Sequence, residues 1–253
     1  INGAPLDVDG NGFISKVTPA GEVQAKFIAG GVDGVVLNAP KGLVVVNGKI
    51  HVVDIDRVRT FDSTTGAPEG EIVIKGATFL NDIAVAPDGS FYVSDSGLNK
   101  DFSSNGSDAI YKIEGGKVRK VLASKKLGGP NGVLAATGGT WVATFGSGEL
   151  YWVSDAGKQE HVQKLPKGAN DGIVLTTDGR TLVSSWEGSS VFVGSTGKDF
   201  VEEISGVESP ADIGYDAKRN RLLIPLFKKD SVVLQTLDAA DGTASETKAP
   251  AKP

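Results

Sequence analysis

Asn81, Asn131 and Asp171 stand 50 and 40 residues apart, and each lies two positions ahead of a buried apolar residue that opens an alternating run. Amide and carboxylate oxygens are what a hard divalent cation such as calcium or magnesium takes as ligands. Beside such an ion a carboxylate is also placed to accept a proton from water. Asp171 is thus a candidate for both duties, and Asn131 is a candidate ligand with it. Lys41 and Ala211 occupy the same register in two further runs, and Asp82, Asn170 and Asp212 lie one residue to either side. A single Asn or Asp ahead of a strand is ordinarily a turn residue that bonds its own backbone. Three polar residues in one register of consecutive runs point instead to a shared site.

The elements that must position these residues repeat. The first buried apolar residues of the runs are Leu43, Ile83, Val133, Ile173 and Ile213, spaced by 40, 50, 40 and 40. Each run leads into a tight turn: Asn47-Gly48, Asp88-Gly89, Gly138-Gly139, Asp178-Gly179 and Lys218–Asn220. Asn-Gly and Asp-Gly suit hairpins because they tolerate positive φ. A second strand follows each turn, and two weaker strands complete each unit, as in AIYKIEGGKVRKVLAS (Ala109–Ser124). Four antiparallel strands every 40 or so residues, with no helical period, spell a β-propeller blade.

GFISKVTPAGEVQAKFIAGG, within residues 1–31, matches the outer hairpin of one more unit, whose two inner strands are not in the sequence. The expectation is an all-β, six-bladed propeller of four-stranded antiparallel blades, the first blade incomplete. It forms a single domain over 1–237, followed by a flexible tail over 238–253 (DAADGTASETKAPAKP), which is small, polar and aperiodic.

In such a ring the first strand of each blade lines the central channel, so Lys41, Asn81, Asn131 and Asp171 converge on one mouth. The loops leaving the second strands overhang it. They offer Asp54 and Arg57, Asp95 and Lys100, Phe145, Trp186 and Glu187, and Phe227 with Lys228. An aromatic rim with a few charges suits a small organic ligand. Asn81, Phe79, Lys41, Trp186 and Phe145 are the candidate substrate-binding residues.

Rival sites are weaker. DVDGNGFIS (Asp7–Ser15) matches the start of an EF-hand loop, but its twelfth position is Thr18 and no amphipathic helix flanks it. His51 and His161 form no metal-spaced pair, and His51 alternates with apolar neighbours in mid-strand, which argues against a Ser-His-Asp triad. No phosphate loop is present. With no cysteine among 253 residues, thiol catalysis, disulfides and cysteine-ligated zinc are excluded. A net charge of −5 supplies no basic patch for nucleic acid, and no apolar run approaches a membrane span. Glycine occurs 34 times, scattered among short apolar runs, which means many turns rather than disorder. Nothing in the sequence fixes an oligomeric state.

FLNDIAVAPDG, GPNGVLAA and ANDGIVLTTDG resemble the blade motifs of the regucalcin/gluconolactonase-like six-bladed propellers, and the resemblance runs blade by blade through the chain. It implies a divalent metal at the channel mouth (calcium first, zinc or magnesium as alternatives) and hydrolysis of a lactone or small ester. Asn131 and Asp171 would be metal ligands, and Asn81 would face substrate or hold water. The family's remaining ligand is a glutamate entering the inner strand of the first blade, which falls outside this sequence. Phe79 stands where sugar-lactone members carry an arginine, so a sugar acid is a poor fit. The bacterial members that the chain resembles imply a periplasmic or secreted location, which the lack of cysteine suits. The alternative function is a propeller that binds a ligand or protein at the same mouth without chemistry.

Overall fold

A computed structural model describes residues 4–195 and 197–238. The chain begins with a hairpin of β1 (Phe13–Val17) and β2 (Val23–Ala29), which pair only with each other. Five sheets follow. The first is β3 (Pro40–Val46), β4 (Lys49–Asp54), β5 (Arg57–Asp62) and β6 (Pro68–Val73). The second is β7 (Leu80–Val85), β8 (Phe91–Asp95), β9 (Ala109–Glu114) and β10 (Lys117–Ala123). The third is β11 (Pro130–Ala136), β12 (Gly139–Thr144), β13 (Glu149–Ser154) and β14 (Gln159–Lys164). The fourth is β15 (Asn170–Leu175), β16 (Thr181–Ser185), β17 (Ser190–Gly194) and β18 (Val201–Ile204). The last is β19 (Gly214–Asp216), β20 (Arg221–Leu226) and β21 (Ser231–Thr236). Every pairing is antiparallel between strands adjacent in sequence. The inner strands β3, β7, β11, β15 and β19 stand side by side around the axis in that order.

The propeller therefore has five blades, not the six expected, and the last has three strands rather than four. The half blade expected at the start remains a lone hairpin because the described residues ahead of β1 form no strand to extend it. It packs on the first blade through Ile14 and Ile28, which join Leu37 of the connecting segment against Val52 and Phe61. A groove of about 830 Å³ separates it and β3 from the last blade. Of the tail expected over 238–253, residues 239–253 lie outside the described residues, and the Asp238 carbonyl accepts a hydrogen bond from Arg180.

The alternating pattern packs the second, third and fourth blades on both faces, whereas Leu43 and Val45 on β3 stay exposed beside the groove. On β8, Val93 joins a cluster with Val53 and Val58 of the first blade, whereas its neighbour Tyr92 joins Val133 and Val142 of the third. Successive side chains of a strand point to opposite faces, so one alternating strand glues its blade to both neighbours. Each such side chain fully buried contributes about 2 to 3 kcal/mol. The predicted turns fall in place, with positive φ at Asn47, Gly48, Gly89, Gly138, Gly179 and Asn220.

Candidate functional site

The first two strands of each four-stranded blade share one irregularity. Pro40 pairs with Asp54 and Leu43 with Val52, so three steps on the inner strand oppose two on its partner. The same extra residue falls between Leu80 and Ile83, Pro130 and Val133, and Asn170 and Ile173. A bulge of this kind bends its strand and re-aims a side chain. It holds Lys41, Asn81, Asn131 and Asp171 in its four copies, and so turns that register toward the channel. Crowding at the axis explains the small residue after three of them. A Cβ at Gly132 would lie 2.2 Å from the Asp171 carbonyl oxygen, and one at Gly172 would lie 2.2 Å from the amide nitrogen of Ile213.

Serines on the second strands latch these positions. Ser94 Oγ accepts from the Asp82 amide (3.0 Å) and donates to the Asn131 carbonyl of the next blade (2.5 Å). Ser184 Oγ does the same between the Gly172 amide (2.9 Å) and the Ala211 carbonyl (2.8 Å). Ser96 Oγ accepts from Asn81 Nδ2 (2.9 Å) and donates to the Pro130 carbonyl (2.5 Å). One buried hydroxyl thus satisfies backbone groups of two blades at once and fixes their relative height, which sets the ring.

The ring opens into a cavity of about 400 Å³, within the usual range for small-molecule sites. Lys41, Phe79, Asn81, Asn131, Phe145, Asp171 and Trp186, all singled out from the sequence, line this one cavity. Asp212, Phe227, Leu98 and Phe102 join them. The aromatic rings leaving three successive blades form a wall: Phe145 meets Trp186 edge-on at 5.3 Å, and Trp186 tilts on Phe227 at 4.7 Å. Phe79 is buried, with Phe102 6.0 Å away on the side toward solvent. Leu98 and Phe102 come from the segment between β8 and β9 and are not among the residues expected at the mouth. Their signal was the 50-residue step among steps of 40, because the surplus lies in that loop.

Several expected rim charges are elsewhere. Asp54 and Asp95 do not overhang the mouth; they fold back to hold the segment entering the inner strand. Asp54 accepts from the Asn38 and Ala39 amides and from Arg59 Nε (2.5 Å). Asp95 accepts from the Thr78 and Phe79 amides (both 2.9 Å). Arg57 pairs with Asp56 and Glu71, Lys100 with Asp7, and Glu187 takes the Gly168 amide. Asn170 is buried with neither amide atom hydrogen-bonded among the described residues, and it does not line the cavity. His51 bonds Thr60 across β4 and β5, consistent with a structural part.

Acidic charge concentrates at the cavity floor. Trp186 Nε1 donates to Asp171 Oδ2 (2.8 Å), and the Asn131 side chain bonds the same carboxyl. Burial, reinforced by the charge of Asp212, nevertheless pushes Asp171 up to about 7. Asp212 is raised to about 6 by burial and shares a hydrogen bond with Asp82. Asp82 is raised well above the ordinary carboxylate range, by burial first and then by Asp212, so the pair shares one proton near neutrality. The two Asp82 oxygens also accept from the Ile83 and Val133 amides.

Asp82 and Asp171, both buried, and the half-buried Asp212 bond no lysine or arginine among the described residues, and they fit a hard cation in charge and in donor chemistry. Among the described residues, however, no group of three or more His, Cys, Asp or Glu side chains is placed to hold an ion. Asn131 and Asp171, with Asp212 beside them, would hold one only together with oxygens of water or substrate.

No family model matches the chain, and no curated protein matches it. Solved structures do. A gluconolactonase from Xanthomonas campestris aligns with a TM-score of 0.64 at 18% identity, covering 87% of this chain and 77% of that one. A catalytically inactive variant of virginiamycin B lyase from Staphylococcus aureus, solved with quinupristin, gives 0.63 at 16%, covering 88% and 73%. A chain of the nidogen/laminin complex gives 0.66 at 15%, covering 85% and 80%. At these identities the likeness is one of fold. The protein has a β-propeller fold similar to that of these structures, with a cavity of about 400 Å³ at its channel mouth.

Proposed function

We propose that the protein hydrolyses a lactone or small ester with a compact apolar body at the channel mouth, and that Asp171 is the catalytic base. The observation that carries this is Asp171 itself: a buried carboxyl on the floor of an aromatic-walled cavity, oriented by Trp186 and Asn131, with a proton affinity near neutrality. An effective base operates close to its own pKa. Gluconolactonases among proteins of this fold support the same class of reaction.

Phe145, Trp186 and Phe227 would take the apolar body and exclude bulk water. Asp171 would accept a proton as a water oxygen bonds to the carbonyl carbon. The tetrahedral intermediate then breaks its carbon–oxygen bond to the leaving group, and Asp171 returns the proton to the departing alkoxide. Asn81, anchored on Ser96, and Asn131 present amides to the same space. A divalent ion at Asn131 and Asp171, when bound, supplies Lewis-acid polarisation of the carbonyl.

The test is turnover of aryl lactones and nitrophenyl esters by the purified chain. Each substrate is assayed after chelation and after re-addition of calcium, magnesium or zinc. Turnover falling about 100-fold or more in D171N supports the reading. Saturable binding of these compounds without turnover, with or without metal, sinks it in favour of a ligand-binding propeller.

A further inference from the structure

Lys41 is the cationic side chain among the described residues that line the cavity. Its ammonium donates to the carbonyls of Pro5 (3.1 Å) and Ala39 (3.2 Å) and lies over the Phe79 ring, 4.5 Å from its centroid. An ammonium has three N–H donors, so two are spent on carbonyls and one is left over. No carboxylate forms an ion pair with it among the described residues. The two acids whose charges act on it, Asp54 and Asp95, are committed to backbone amides, and Asp54 to Arg59 as well. Burial holds the ammonium down to about 8 against the pull of those two charges. A positive charge fixed by carbonyls on an aromatic face, without a counter-ion of its own, is a built receptor for an anion.

We propose that Lys41 is a specificity-determining residue, and that the ligand of this cavity carries a carboxylate which docks on Lys41 at the β3 side. The proposal rests on the mouth being a ligand site, as above, and adds the substrate class. Lys41 sits on β3 and Asp171 on β15, with β7 and β11 between them around the ring. An acid bound at Lys41 therefore directs its other end toward the floor carboxyls, and its body lies along the aromatic wall. The reactive ester or lactone carbonyl belongs at that far end, away from the anion. Phe79 takes part by supporting the ammonium rather than by touching the ligand. Two committed N–H groups and their carbonyls also argue against Lys41 as a nucleophile, which would need its lone pair free.

The experiment is a fluorescence titration reading Trp186, with W186F as the blank that assigns the signal to the cavity. The probes are 3-phenylpropanoate and its primary amide, titrated at pH 7. Wild type is expected to bind the acid about 10- to 100-fold tighter than the amide, the value of one charge-assisted hydrogen bond. K41M should bring the ratio to about 1, and K41R should retain part of it. Equal affinity of wild type for acid and amide overturns the proposal. So does an acid preference that survives in K41M with its melting temperature unchanged. If K41M does not fold, loss of the preference in wild type at pH 10, where Lys41 is neutral, serves instead, and its persistence there overturns the proposal. The binding assay needs no turnover. An acid preference without hydrolysis therefore refutes only the proposed reaction, and hydrolysis without the preference refutes only Lys41.

Discussion

Removing the Asp171 charge should stabilise the metal-free protein, and increasingly so as pH rises. The folded carboxyl is held at about 7 against an ordinary 3.8, by burial first and by Asp212 second. A carboxyl raised on folding contributes stability that is fully present below its unfolded value and is lost as pH climbs through its folded value. The whole cost is reached near pH 8. At about 1.4 kcal/mol per tenfold change in proton affinity, the rise from 3.8 to about 7 amounts to about 4 kcal/mol at most. About 3 kcal/mol of that accrues between pH 5 and pH 8.

D171N keeps shape and hydrogen bonding. The substituted amide oxygen accepts from Trp186 Nε1, and Asn131 can turn its own amide to present oxygen. Urea denaturation in chelator should therefore give D171N a midpoint about 1 M above wild type at pH 8. At pH 5 the difference should be less than half of that. A site ion would change the wild-type result in a distinctive way. Calcium, magnesium or zinc binding the ionised carboxyl should raise the wild-type midpoint at pH 8 and leave D171N where it is. An advantage of D171N that is equal at pH 5 and pH 8, or a loss of stability at pH 8, refutes the reasoning, because Asp171 would then carry no buried charge.

Two further outcomes follow from neighbouring contacts. The acid limb of kcat/KM should lie near pH 7 in wild type, and it should move up by about one pH unit in W186F, which loses the donor that favours ionised Asp171; a limb that stays put dissociates Trp186 from the base. D54N, which disturbs a buried carboxylate bound to Arg59 and to two backbone amides, should cost about 3 to 5 kcal/mol and lower the melting temperature by about 10 °C. D54N with native stability in calorimetry would mean that Arg59 and Asp54 do not organise the entry to β3.

What was legible in the sequence was whatever a period can carry. Strands of period two, turns that tolerate positive φ and a step of 40 place Lys41, Asn81, Asn131 and Asp171 in one register, and these four residues do line one cavity. The blade count was not legible in the same way. A lone hairpin and the outer half of a blade share one pattern, and only strand pairing separates them; β1 and β2 pair with nothing further. The bulge was hidden for a related reason. One extra residue per inner strand shifts the register without altering the spacing between repeats, so alignment could show that Asn131 and Asp171 are equivalent but not what turns them to the axis. Asp54 and Asp95 were misread because an acid at the end of a strand serves a solvent rim and a backbone clamp equally well in one dimension. The choice between them depends on amides at Asn38, Ala39, Thr78 and Phe79 that would otherwise be buried without partners. Leu98 and Phe102 illustrate the converse. Ten surplus residues in one step are visible in the sequence, and an insertion in a ring of repeats has few places to go except over a mouth. A departure from the period therefore marks the side of the cavity at which this chain differs from its repeats, and that is the side at which Lys41 and Phe79 stand.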